Sequence, residues 1–175
     1  MPKLIENVKE KLLEQAKKQV MEAGYEALSI RKVAKASGIA SGTVYNYFES
    51  KEMLVASFMA EDWIKSIQTM KDKSSKEDNP IEVIKIIYEE LCKFIKIFDG
   101  LFNDPLSKTV FNDGGKTRHS ILINQLSEIF APVCKKHQIN KEIQISEFIL
   151  ETLLTWTIQK KDFSEYIKII TLFFE

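Results

Sequence analysis

The chain has 175 residues, 45% of them hydrophobic and 29% charged, with 25 basic residues balanced by 25 acidic ones. That length buries roughly 70% of the surface an unfolded chain exposes, and with six Gly and four Pro the composition excludes disorder over most of the length. Apolar stretches such as 81–98 and 148–156 are cut by Lys, Glu or Asp every few residues, so none approaches the roughly 18 uninterrupted residues of a membrane span.

In chain order, helical spacing dominates. Ile5, Val8, Leu12, Ala16, Val20 and Ala23 recur at intervals of three and four, which predicts an amphipathic helix ending near Ala23 with Gly24 as a left-handed cap. Ser29 is the expected N-cap of a second helix whose hydroxyl accepts from a free backbone N–H, running through Ile30, Val33 and Ala34 to Ser37, where Gly38 breaks it. A short third helix spans Ser41 to Tyr47, and Ser50 caps a long fourth that starts at Lys51. Residues Lys71 to Asn79 contain nothing apolar and are predicted to be a connector.

Asn79-Pro80-Ile81-Glu82 combines an N-cap, a proline at the first helical position and Glu at the third, and opens a helix to Asp99. Asp104-Pro105 repeats the device, and Asp113-Gly114-Gly115 marks another break. A helix bearing Ile121, Leu122, Leu126, Ile129 and Val133 follows, with Pro132 expected to kink it near its end. Asn140 opens the next, and Asp162 with Glu165 forms a capping box for the last, through Tyr166, Ile167, Ile170, Phe173 and Phe174. No segment alternates with period two. The expected fold is all-α, with about nine helices.

The stretch with chemical content is 29–51. Two short helices joined at Gly38 form a helix-turn-helix, in which Ile30, Val33, Ala34, Ile39 and Val44 set the interhelical angle. The free face of the second helix carries Ser41, Thr43, Tyr45 and Tyr47, which offer hydroxyls to phosphates or base edges and ring or methyl surface to thymine methyls. Gly42 allows close approach, the helix N-terminus suits a phosphate, and Arg31 and Lys51 supply charge. Phe48 reads as core. Up to Lys51 there are nine basic against six acidic residues, and sixteen against nineteen beyond it, a mild asymmetry.

Gly38-Ile39-Ala40-Ser41-Gly42-Thr43-Val44-Tyr45-Asn46-Tyr47-Phe48 followed by Ser50-Lys51-Glu52-Met53-Leu54 resembles the DNA-binding domain of the tetracycline-repressor (TetR) family. The resemblance covers about a third of the chain. It implies a homodimeric, ligand-responsive repressor with a helix-turn-helix domain at 1–50 and a helical regulatory and dimerisation domain at 51–175, acting in the cytoplasm on a palindromic operator. Residue by residue, it implies phosphate contacts for Ser29, Thr43, Tyr47 and Lys51, and positions at or near base edges for Arg31, Ser41, Gly42 and Tyr45. Ala40 and Ser41 depart from the family pattern, which often has a Ser cap followed by a basic residue.

The resemblance further implies that the last two helices pair across a twofold axis, with Ile149, Leu153, Trp156, Ile167, Ile170 and Phe174 as candidates. An effector pocket would be lined by Trp63, Phe94, Phe98, Phe102, Phe111 and Trp156, for a small apolar or aromatic molecule that shifts the fourth helix and lowers operator affinity. The alternative is an adaptor or ligand-binding protein that keeps the scaffold but reads no specific DNA.

Enzyme signatures are weak. Gly115-Lys116-Thr117 has Val110 where a phosphate loop needs Gly, His119 and His137 lack metal-ligand spacing, and Cys92 and Cys134 lie outside any CxxC pattern. The expectation is no catalytic activity, no metal, no cofactor and two reduced thiols.

Overall fold

The computed structural model describes residues 7–103, 115–137 and 143–174. It contains eight α-helices and no strand among the described residues: α1 Val8–Ala27, α2 Ile30–Ser37, α3 Ser41–Tyr45, α4 Lys51–Ser74, α5 Pro80–Asn103, α6 Gly115–Lys136, α7 Ile143–Ile158 and α8 Phe163–Ile170, with a 3-10 turn at Thr171–Phe173. The all-α expectation holds. Ile5, Asp104-Pro105, Asp113-Gly114 and Asn140 lie outside the described residues.

The chain divides into two compact units, residues 1–63 with 97–113 and residues 64–96 with 114–175. In the first, α1 buries Leu12, Leu13, Ala16 and Val20, α2 packs on α1, and α3 packs on α2. Phe58 and Phe98 stack in its core with ring centroids 6.1 Å apart. In the second, α6 packs on α7 and α7 on α8. Tyr166 anchors α8 there: buried, it donates its hydroxyl to the Ile149 carbonyl at 2.5 Å.

Several boundaries move from their sequence-based positions. At Gly24 the chain leaves the helix with φ 80° and ψ 171°, then resumes for a turn to Ala27. That is an extended conformation open to glycine rather than a left-handed cap. The third helix stops at Tyr45, with Asn46 and Tyr47 in a turn. The fifth runs through Gly100 to Asn103 instead of ending at Asp99.

The expected connector at 71–79 is half helix, since α4 continues to Ser74. Met70 is fully buried, and the lysines beyond it have partners: Lys71 meets Glu128 at 3.3 Å and Lys73 meets Glu90 at 2.7 Å. Cations also suit the C-terminal end of a helix. The caps at Ser50, Asn79 and Asp162 form as expected, accepting from the backbone N–H groups of Met53, Ile81 and Ser164 at 3.2, 2.9 and 2.9 Å.

Glu90 is the buried charge of the second unit. Its Oε1 accepts from both Lys73 and Lys93 at 2.7 Å. Burial pushes its carboxyl up, but the two ammonium groups outweigh burial and leave it below the ordinary value of 4.5. A depressed folded-state pKa gives stability that is present above the unfolded value and lost as pH falls through the folded one. Glu90→Gln is therefore expected to cost about 1–3 kcal/mol near neutrality. It should also flatten the drop in thermal midpoint between about pH 6 and about pH 3, read by circular dichroism.

Candidate nucleic-acid interface

The candidate interface is built on the turn between α2 and α3. Ser29 occupies the N-cap position in extended backbone, φ −133° and ψ 124°, but its hydroxyl makes no capping bond. The expected cap therefore rests on its carbonyl, which accepts from the Val33 N–H at 2.9 Å. Val33 and Ala34 are buried, leaving Arg31, Lys32 and Lys35 exposed. Gly38 is left-handed, φ 70° and ψ 29°, and the N–H of Ile39 returns to the Ala34 carbonyl at 2.9 Å. This closes α2 and reverses the chain into α3.

Within α3 and the turn after it, Val44 and Phe48 are buried while Tyr45 and Tyr47 are 55% and 46% exposed. Two large phenol rings thus stand in solvent beside a helix with three exposed cations. Of the sequence-predicted contacts, Arg31, Gly42, Tyr45 and Tyr47 are exposed, and Ser29, Ser41, Thr43 and Lys51 half-buried. Sequence reasoning passed over Lys32 and Lys35, although both fall outside the Val33 and Ala34 stripe.

Lys51 has a defined seat. Its Nζ lies 4.0 Å from the centroid of the Tyr25 ring, and the Tyr25 hydroxyl donates to Glu52 Oε1 at 2.8 Å. That bond, with the α4 backbone and Ser50, holds the Glu52 carboxyl below its ordinary range. Tyr25 is 4% exposed and was not singled out by spacing. Earlier on α1, Lys17 pairs with Asp62 of α4.

The aromatic residues expected to line one pocket differ in exposure. Phe98 is fully buried against Phe58, Trp63 and Phe94 are half-buried, and Phe111 and the side chain of Phe102 lie outside the described residues. Trp156 donates its indole N–H to the Asp162 carbonyl at 2.8 Å, beneath the Lys161 ammonium.

Two of the six dimer candidates need correction. Ile149 and Leu153 are fully buried within their own chain, so a second chain cannot reach them; Ile170 is buried at the lining of the groove below, and Ile167 and Phe174 are half-buried. The outward side of α7 and α8 instead forms a mainly apolar groove of about 540 Å³, lined by Phe148, Thr152, Thr155, Trp156 and Ile169. Phe148 is 51% exposed, and Leu172 just beyond the groove 70%.

No group of three His, Cys, Asp or Glu able to hold a metal occurs among the described residues, and no helix there is long and apolar enough to cross a membrane. Two substitutions test the turn by thermal or urea unfolding. A Cβ at Gly38 would meet nothing within 4 Å. Gly38→Ala is thus expected to cost about 1 kcal/mol from left-handed strain alone, and Gly38→Asn less. Ala40 sits uncapped at the start of α3, φ −67° and ψ 139°. Ala40→Ser should supply the missing cap and gain roughly 0.5–1 kcal/mol.

Residues 12–58 match the family model described as bacterial regulatory proteins, tetR family. The HTH-type transcriptional repressor KstR of Rhodococcus jostii (strain RHA1) is 26% identical over 140 residues, covering 76% of this chain and 65% of KstR. The fatty acid metabolism regulator protein of Bacillus subtilis (strain 168) is 28% identical over 76 residues, covering 43% of this chain and 39% of that protein. The chain thus spans less than two thirds of the length of either relative. Among solved structures, the transcriptional regulator FadR from Bacillus subtilis in complex with stearoyl-CoA has the same fold, with a TM-score of 0.58 at 22% identity over 95% of this chain and 97% of that one. The matched segment coincides with the helix-turn-helix and its supporting helices, and over it the chain is similar to the tetR family of bacterial regulatory proteins.

Proposed function

We propose that the chain is a dimeric, ligand-responsive transcriptional repressor that reads a palindromic DNA operator through α2 and α3. The observation that carries this reading is the outward placement of Tyr45 at the end of α3 and Tyr47 in the turn after it, beside the exposed Arg31, Lys32 and Lys35 of α2. Burial of Val44 and Phe48 fixes the helix pair, so the phenol rings are presented on a rigid base. Tyr45, with Arg31, Ser41 and Gly42, faces base edges; Ser29, Thr43, Tyr47 and Lys51 bind phosphates, which set register and carry no sequence information.

The reading head is residues 1–50, and residues 51–175 respond to ligand and hold the dimer together, in the cytoplasm. The groove along α7 and α8 accepts the same groove of a second copy, with Phe148, Trp156 and Ile169 covered by the pairing. The aromatic content of the C-terminal region suits a small apolar or aromatic effector. Stearoyl-CoA, bound by the Bacillus subtilis FadR structure, is a molecule with a long apolar chain. Ligand occupancy acts by shifting the population between operator-competent and incompetent arrangements of the dimer.

Fluorescence titration against the chain's own upstream DNA is expected to give saturable binding whose log K falls with log salt by about 0.9 per phosphate neutralised. Tyr45→Ala should cost about 1–3 kcal/mol and change the preferred sequence. Unchanged affinity and preference would remove Tyr45 from the interface. In sedimentation velocity the wild type should run as a dimer and Ile169→Glu as a monomer; a monomeric wild type would rule the pairing out.

A further inference from the structure

The contact between Tyr25 and Lys51 has a role beyond packing. We propose that Tyr25 is a positioning residue for operator binding: its ring holds the Lys51 ammonium in place to meet a phosphate, and Glu52 holds the ring. The inference rests on the DNA-binding reading of the helix-turn-helix.

A lysine side chain has four rotatable bonds, and a phosphate contact from a freely moving ammonium gives up that freedom on binding. Here much of it is surrendered beforehand. The Lys51 Nζ stands 4.0 Å from the centroid of the Tyr25 ring, where the ring face attracts a cation. The ring engages the ammonium from one side, and the three N–H donors are not all consumed by it. Tyr25 is itself fixed, 4% exposed, with its hydroxyl donating to Glu52 Oε1 at 2.8 Å. The carboxylate beside Lys51 is thereby engaged by the phenol.

Gly24 makes the arrangement reachable. Its non-helical φ of 80° and ψ of 171° break α1 one residue before Tyr25, so a buried ring follows four consecutive exposed positions, 21–24. A purely space-filling residue at position 25 would need neither a hydroxyl nor a partner on α4.

The test is a double-mutant cycle on operator affinity across a salt series, with folding of each variant followed by circular dichroism. Y25L and K51A should each weaken binding to all sequences alike and lower the salt slope by about 0.9, the value of one phosphate. Y25F keeps the ring but releases it from Glu52, so its loss of affinity should be smaller than that of Y25L. In the K51A background, Y25L should add less than about twofold, within the scatter of independent sites. An equal loss from Y25L in both backgrounds, with the slope intact, overturns the proposal while leaving the DNA reading in place. Absence of any saturable, salt-dependent binding by the wild type overturns both.

A DNA-free readout guards against a Y25L chain that does not fold. The Lys51 protons beside Nζ should show an upfield ring-current shift in the wild type, reduced in Y25F. Ordinary shifts in the wild type would overturn the proposal whatever the titrations give.

Discussion

A helix of five residues cannot hold itself together in water, because nucleation costs more than one turn of hydrogen bonds returns. α3 is such a helix. It exists because Val44 and Phe48 are buried in the unit that also buries Val33 and Ala34 of α2, and because Gly38 turns the chain between them. Once those two inward positions are fixed, the helical period leaves Tyr45 facing out, and the turn that follows does the same for Tyr47. The proposed reading surface is the reverse side of an apolar wedge, and its geometry is as rigid as that wedge.

The same logic explains what could be read from the sequence. Caps and punctuation are local, so Ser50, Asn79, Asp162 and Gly38 were legible from neighbours a few residues away, as was the helix-turn-helix. Long-range partners were not. Lys71 and Lys73 looked like connector residues because their carboxylate partners, Glu128 and Glu90, lie 57 and 17 positions away. The seat of Lys51 on Tyr25 spans a comparable gap, and no spacing rule in a single chain announces it.

α7 shows a different failure. Ile145, Phe148, Ile149, Leu150, Leu153, Leu154, Trp156 and Ile158 lie all around the helix, so hydrophobicity carries no phase and cannot say which side faces its own core. Ile149 and Leu153, candidates for pairing across a twofold axis, are buried, and Phe148, one position from Ile149, is the residue that stands in solvent. Formal charge was similarly uninformative. A net value of zero conceals an exposed run of Arg31, Lys32 and Lys35 on one helix, a local field that the sum over the chain does not show.

Cys134 lies fully buried on α6, and Ser146 of α7 donates to its sulfur at 3.4 Å. Burial pushes its thiol above the ordinary value of 9.0. A protonated, enclosed thiol is inert toward alkylating and oxidising reagents. It becomes reactive only when the seam between the two helices parts, so its labelling rate is set by how often that seam opens. The chain thus carries an internal clock for the breathing of its C-terminal helices, with half-exposed Cys92 as the reference thiol on the same molecule.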